Sequence, residues 1–243
     1  KNVTTIEYCA FEGCEKLKEI VIPNSVTEIE HSAFSGCKSL KKVTFDNSNL
    51  KKISNATFEG CSNLTTINIP NSVKSIGYAA FAECSSLTFI KIPNSVESIG
   101  DDAFKNCNNL TKVDMPYYTQ FNISIFDGCN KPSYCGKYAA DDGRILVYNG
   151  MLMRFAPSAL DLTEYTIPNS VRGIYYHAFS DCDSLRNVTI PDSVTSIGNN
   201  AFYGCSSLTS VTIPESVTTI GGGAFDNCTS LTNVTIPDSV TTI

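Results

Sequence analysis

The stretch "IPESVTTIGGGAFDNCTSLTNVTIPDSV" (213–240) begins and ends on the same phrase, with an Ala-Phe pair and a cysteine at a fixed distance between. Laid over the rest of the chain on its cysteine, it gives a unit of the form IxxxAFxxCxxLxxVxIPxSV. Cys14, Cys37, Cys61, Cys84, Cys107 and Cys129 stand 22 to 24 residues apart, and Cys182, Cys205 and Cys228 resume the beat at 23. A period in the twenties is the length of one strand plus a short return path, so the unit is one coil of a repeat protein. A single coil cannot bury its apolar side chains alone; stacked coils do so by placing Leu on Leu, Phe on Phe and Cys on Cys.

Within the unit each position has a physical role. In "LTSVTIP" (208–214) Val211 and Ile213 are two apart and face inward, with Thr212 between them facing out, the period of a strand. Pro214 lacks an N–H for a ladder and ends the strand. Ser216 is placed to hydrogen-bond locally in the following turn. Val217 and Ile220 mark a second, shorter extended segment on the return side. Ala224, Phe225 and Cys228 at i, i+1 and i+4 suit one helical turn with its apolar side chains inward.

The unit resembles the BspA-like leucine-rich repeat family, whose hallmark is similar to "SVTSIGNNAFYGCSSLTSVTIP" (193–214). Nine Phe-x-x-Cys units carry the resemblance, beginning at Phe11, Phe34, Phe58, Phe81, Phe104, Phe126, Phe179, Phe202 and Phe225. The expected fold is a mainly β leucine-rich repeat solenoid, with one parallel-sheet strand per coil, short helical turns on the return side and an interruption that contains a β-hairpin. The expected domain organisation is a single solenoid over 1–243: regular repeats over 1–116, an irregular interval over 117–161, and regular repeats over 162–243. The resemblance implies a cell-surface or extracellular location, a role in adhesion to host proteins, and a host extracellular-matrix or surface protein as partner.

The interruption has its own signal. Asn149–Gly150 lies between two apolar runs of "GRILVYNGMLMRFAP" (143–157), which predicts a hairpin near 143–155 with a type I′ turn. Tyr117, Tyr118, Phe121, Tyr134, Tyr138, Tyr148 and Phe155 crowd this part of the chain. They are expected to cover the core where regular coils fail.

Composition narrows the function. The formal charge of −6 and the absence of any Lys/Arg run disfavour nucleic acid, and no apolar run is long enough to span a bilayer. The chain starts and stops partway through a repeat, as expected of a piece of a longer protein. No Cys-x-x-Cys pair occurs, and the nine repeat cysteines are expected to be reduced, buried apolar groups rather than disulfides or zinc ligands. The two histidines, His31 and His177, lie coils apart, and the acidic pairs Asp101–Asp102 and Asp141–Asp142 lack the alternation of a calcium loop. No catalytic residue, cofactor or metal site is expected.

What varies is the outward face of the strands. One outward slot reads Val21, Thr44, Asn68, Lys91 and Asp114, then Thr166, Thr189, Thr212 and Thr235; the preceding one places Phe89 and Lys112 among polar residues. Phe89, Lys91, Lys112 and Asp114, with Tyr117 and Tyr118 at the following turn, form the candidate partner-binding site. The expected function is non-enzymatic protein binding through the solenoid surface. The alternative is a carbohydrate-binding module that uses exposed aromatics, and a third, remoter reading is an enzyme whose site is assembled across coils.

Overall fold

Most regular coils carry two short strands and a run of turns that stack on their counterparts in the next coil; in the coil at Cys61 the first strand is reduced to an isolated bridge from Asn68 to Lys91. The computed structural model describes residues 3–46, 49–121, 123–129, 132–156 and 159–243. The chain divides into two compact units, Lys1–Lys137 and Tyr138–Ile243.

In the first unit the Val-x-Ile strands pair in parallel. Glu19–Ile22 lies beside Lys42–Phe45, and Phe89–Lys91, Lys112–Asp114 and Ser133–Cys135 form a three-stranded sheet. The return-side strands are two residues long, as in Lys52–Ile53, Ser75–Ile76 and Ser98–Ile99, and make a parallel sheet of their own. In the second unit Glu164–Thr166, Asn187–Thr189, Ser210–Thr212 and Asn233–Thr235 pair slot for slot. Gly173–Ile174, Ser196–Ile197 and Thr219–Ile220 build the matching return-side sheet.

The expected helical turn is absent at the Ala-Phe-x-x-Cys segment, and the backbone shows why. In every coil but the one at Phe126, where Ile123–Phe126 forms a 3₁₀ turn, two residues there are left-handed, one two positions before the Phe and one two after it, for example Ser32 (φ 56°) and Gly36 (φ 68°) around Phe34. A left-handed residue interrupts any right-handed helix, so the segment becomes a chain of tight turns. Its amides alternate between closing these turns and donating to the next coil. Cys61 N–H donates to the Phe58 carbonyl at 3.2 Å, while Phe58 N–H donates to Ala80 at 2.9 Å and Phe81 N–H to Ala103 at 2.8 Å. The described 3₁₀ turns are Ile123–Phe126 and Asp141–Gly143.

Serine of the Pro-x-Ser-Val phrase also departs from expectation. Its hydroxyl reaches the preceding coil rather than its own turn: Ser216 Oγ donates to the Val194 carbonyl and Ser193 Oγ to Val171, both at 2.7 Å.

The core is made of columns. Phe11, Phe34, Phe58, Phe81 and Phe104 stack with ring centroids 5.2 to 5.6 Å apart and planes within 13° of parallel. The cysteine column beside them is reduced throughout. Its thiols act as donors: Cys84 Sγ lies 3.2 Å from the Phe58 carbonyl, and Cys107 and Cys205 make the same contact at 3.1 Å to Phe81 and Phe179. Burial pushes the Cys61 thiol up to about 12, which keeps it protonated for that role. Cysteine thus fills a slot that is apolar in volume yet needs one weak donor.

The interval that looks irregular in sequence is divided by the structure. Its first part completes a coil of the first unit: Gln120 bridges to Ser98, Phe126 extends the phenylalanine stack 5.9 Å from Phe104, and Ser133–Cys135 joins the sheet. Its second part carries a hairpin of Ile145–Tyr148 and Met151–Phe155, turning at Asn149 (φ 48°) and Gly150 (φ 79°), the two positive φ values of a type I′ turn. The hairpin does not project as a free arm. Met151–Phe155 runs parallel to Gly173–Ile174 inside the return-side sheet, which Ile145–Tyr148 and then Ala139–Ala140 extend to its edge, and Phe155 takes a place in the phenylalanine column 4.9 Å from Phe179.

Candidate functional site

On the outer side of the three-stranded sheet of the first unit, register fixes which side chains are neighbours. Phe89, Lys112 and Ser133 form one row across the strands; Lys91, Asp114 and Cys135 form the next, with Asn68 bridged to Lys91. Between the rows Ile90, Val113 and Tyr134 turn inward and are fully buried, so the alternation of a half-buried strand is kept in all three. The four sheet residues anticipated from sequence therefore do lie together. Phe89 is 41% exposed, an aromatic ring at a position that is polar in the adjoining strands.

Charge is locally ordered around that ring. Lys91 Nζ lies 3.5 Å from Asp114 Oδ2, and Lys112 Nζ donates to Ser133 Oγ at 3.1 Å. Asp114 is held from the other side by Gly136, where a Cβ would fall 2.0 Å from Oδ1. Only glycine allows the backbone to approach the carboxylate so closely, and its φ of +86° favours glycine as well. Cys135 shares the row; burial, with Asp114 beside it, pushes its thiol up, and Lys112 and Lys91 pull the other way.

Ser133 and Cys135 escape a reading of the sequence because the phrase around them has lost its Ile-Pro ending. The signal that remains is faint: Ser-Tyr-Cys alternates out, in, out, and Ser133 follows Lys112 by 21 residues, close to one coil.

Tyr117 and Tyr118 occupy the slots held by Asn94 and Ser95 one coil earlier. Their rings meet edge to face at 5.0 Å, and the exposed Tyr118 donates its hydroxyl to the Asn94 carbonyl. They stand at the turn that leaves Lys112–Asp114 rather than on the sheet face. Tyr134 and Phe155 are core residues, while Tyr148 is exposed.

The acidic pairs are occupied by the fold. Asp102 Oδ2 accepts from Tyr78 Oη at 3.1 Å and from Lys105 at 3.2 Å; Asp141 accepts from Tyr165 Oη at 2.6 Å and faces Arg144 at 3.5 Å. The histidines belong to different units. His31 stacks on Tyr8 at 4.7 Å. His177 pairs through Nδ1 with Ser180 Oγ and through Nε2 with Asn200 at 3.4 Å. Burial lowers the His177 pKa, with Arg154 adding to the shift and Asp181 opposing it.

A family model described as the BspA type leucine rich repeat region, in six copies, matches residues 4–132 and 154–243. Among solved structures, a leucine rich cell surface protein from Faecalibacterium prausnitzii is 28% identical, with 95% of this chain and 82% of that one covered and a TM-score of 0.48. A leucine-rich repeat protein from Bacteroides ovatus is also 28% identical, covering 99% and 78%, with a TM-score of 0.45. The pneumococcal vaccine antigen PcpA is 20% identical over 99% and 79%, with a TM-score of 0.52, a likeness of fold. No curated protein matches the sequence.

Proposed function

The chain belongs to the BspA type leucine rich repeat family, and from that premise we propose that it is a non-catalytic binding protein of the cell surface or extracellular space. Its partner is a protein of the host surface or extracellular matrix, and the face that receives it is the outer sheet face of the first unit.

One observation carries the reading: Phe89 is exposed among Lys91, Lys112 and Asp114, all fixed by strand register. An aromatic anchor ringed by charges that can pair or repel is the composition of an interface hot spot. The inward columns recur from coil to coil because each coil must pack on the next, so the outward slots are where individuality can reside. In the second unit the slot of Lys91 and Asp114 holds Thr166, Thr189, Thr212 and Thr235, a uniform row of hydroxyls, and the slot of Phe89 and Lys112 holds Glu164, Asn187, Ser210 and Asn233, with neither an aromatic ring nor a cation.

Solid-phase binding to an immobilised basement-membrane extract tests this. Phe89→Ala combined with Lys112→Glu should weaken binding at least about tenfold, or about 1.4 kcal/mol. Ser210→Glu combined with Thr235→Ala should leave it unchanged. Equal losses in both pairs, or no loss in the first, would remove the site from this face.

A further inference from the structure

Three exposed tyrosines of the regular coils share a single slot, which Tyr175 (49% exposed) precedes by one residue. Tyr8 (59% exposed), Tyr78 (53%) and Tyr176 (53%) all stand one residue before the left-handed position that precedes Ala-Phe. Backbone hydrogen bonds fix that register. In the first unit the following amide donates to the slot residue of the next coil, from Cys9 to His31, Ser32 to Asn55, Ala56 to Tyr78 and Ala79 to Asp101, at 2.8 to 3.2 Å. The first unit therefore presents the column Tyr8, His31, Asn55, Tyr78, Asp101, and all five are exposed.

These rings are held in place although they face solvent. Tyr8 stacks on His31 at 29°, and its amide donates to Glu30 Oε2 at 2.9 Å. Tyr78 is fixed at both ends: its amide donates to Asn55 Oδ1 at 3.0 Å and its hydroxyl to Asp102 Oδ2 at 3.1 Å. Rings pinned before a ligand arrives lose little freedom on binding, the condition under which an exposed aromatic contributes most.

We propose that this column is a binding row for a neutral linear glycan, with sugar rings packing against the Tyr8–His31 pair and Tyr78, and their hydroxyls meeting Asn55 and Asp101. The chemistry of the row selects that class. Aromatic rings pack on the C–H faces of pyranoses, and a side-chain amide and a carboxylate supply the donors and acceptors that sugar hydroxyls require. Spacing agrees: His31 and Tyr78 are two coils apart, about 10 Å at the ordinary strand separation, roughly the length of two pyranose residues. Glu30, Asp101 and Asp102 repel acidic glycans and phosphates. A cationic peptide fits less well, because Glu30 and Asp102 already accept from Tyr8, Tyr78 and Lys105.

Affinity electrophoresis through gels containing soluble xylan, galactomannan, mixed-linkage β-glucan or carboxymethylcellulose tests the proposal, with circular dichroism to verify folding of each variant. At least one neutral polymer should retard the protein, and the retardation should persist in high salt. Tyr8→Ala and Tyr78→Ala should each weaken it about five- to tenfold, the scale of one lost aromatic contact. Tyr78→Phe should retain most of it, and the Phe89→Ala/Lys112→Glu protein should match wild type, which separates this row from the sheet-face site. The proposal fails if no neutral polymer retards the protein, if the tyrosine variants behave as wild type, if carboxymethylcellulose binds equally well, or if retardation vanishes in high salt.

Discussion

Left-handed residues on either side of the phenylalanine decide the local backbone of the Phe-x-x-Cys segment. The position before each repeat cysteine is left-handed, and it is filled by Gly13, Gly36, Gly60, Asn106, Gly128, Asp181, Gly204 and Asn227. Gly, Asn and Asp tolerate that conformation best, so the "GC", "NC" and "DC" phrases announce it. The i, i+1, i+4 spacing of Ala, Phe and Cys hides the signal, because it suits a helix equally well. Glu83 is the exception: it is left-handed at φ 61°, and it adds, with Glu12, to the burial that raises the pKa of Glu59. Glu83→Gly relieves the backbone and removes a like charge, against the greater freedom glycine gives the unfolded chain. It should stabilise the protein by about 0.5–1 kcal/mol. A rise in the urea midpoint at unchanged slope is the expected result; an unchanged or lower midpoint would mean that the ladder absorbs the strain.

For the individual elements, the period-two alternation made the strand faces legible, and register follows from equal coil lengths. Phe202 is fully buried between Phe179 and Phe225, 4.9 and 5.3 Å away, whereas Thr212 faces solvent on its strand. Phe202→Ala should therefore cost about 3–5 kcal/mol through the cavity it leaves, and Thr212→Ala only tenths. Comparable urea midpoints for the two variants would mean that inner and outer faces are exchanged. Phe225 would be a poorer probe, since it is only partly buried. The hairpin turn was readable from Asn149–Gly150, but its seating was not. That depends on Phe155 meeting Phe179 and on the pairing of Leu152 with Ile174, and neither partner can be told from the hairpin's own sequence. The candidate site was half legible for the same reason: Phe89, Lys91, Lys112 and Asp114 stand in regular phrases, whereas Ser133 and Cys135 need the third strand before they acquire neighbours.

Across the whole molecule, the same few columns run through each of the two compact units, and the surface differences between coils sit outside them. That division between a repeated interior and a variable exterior is the premise of both binding proposals, and the cysteines report on it directly because they sample both units. Cys37, Cys61, Cys84, Cys107, Cys182, Cys205 and Cys228 are buried, Cys9, Cys129 and Cys135 are intermediate, and Cys14 is exposed. Time-resolved thiol alkylation of the native protein, read residue by residue by mass spectrometry, should label Cys14 first and Cys9, Cys129 and Cys135 more slowly. The seven buried thiols should react only on unfolding, and all eleven should be free. Rapid native labelling of Cys61, Cys84 or Cys205, or a disulfide between column cysteines, would contradict the stacked-column interior.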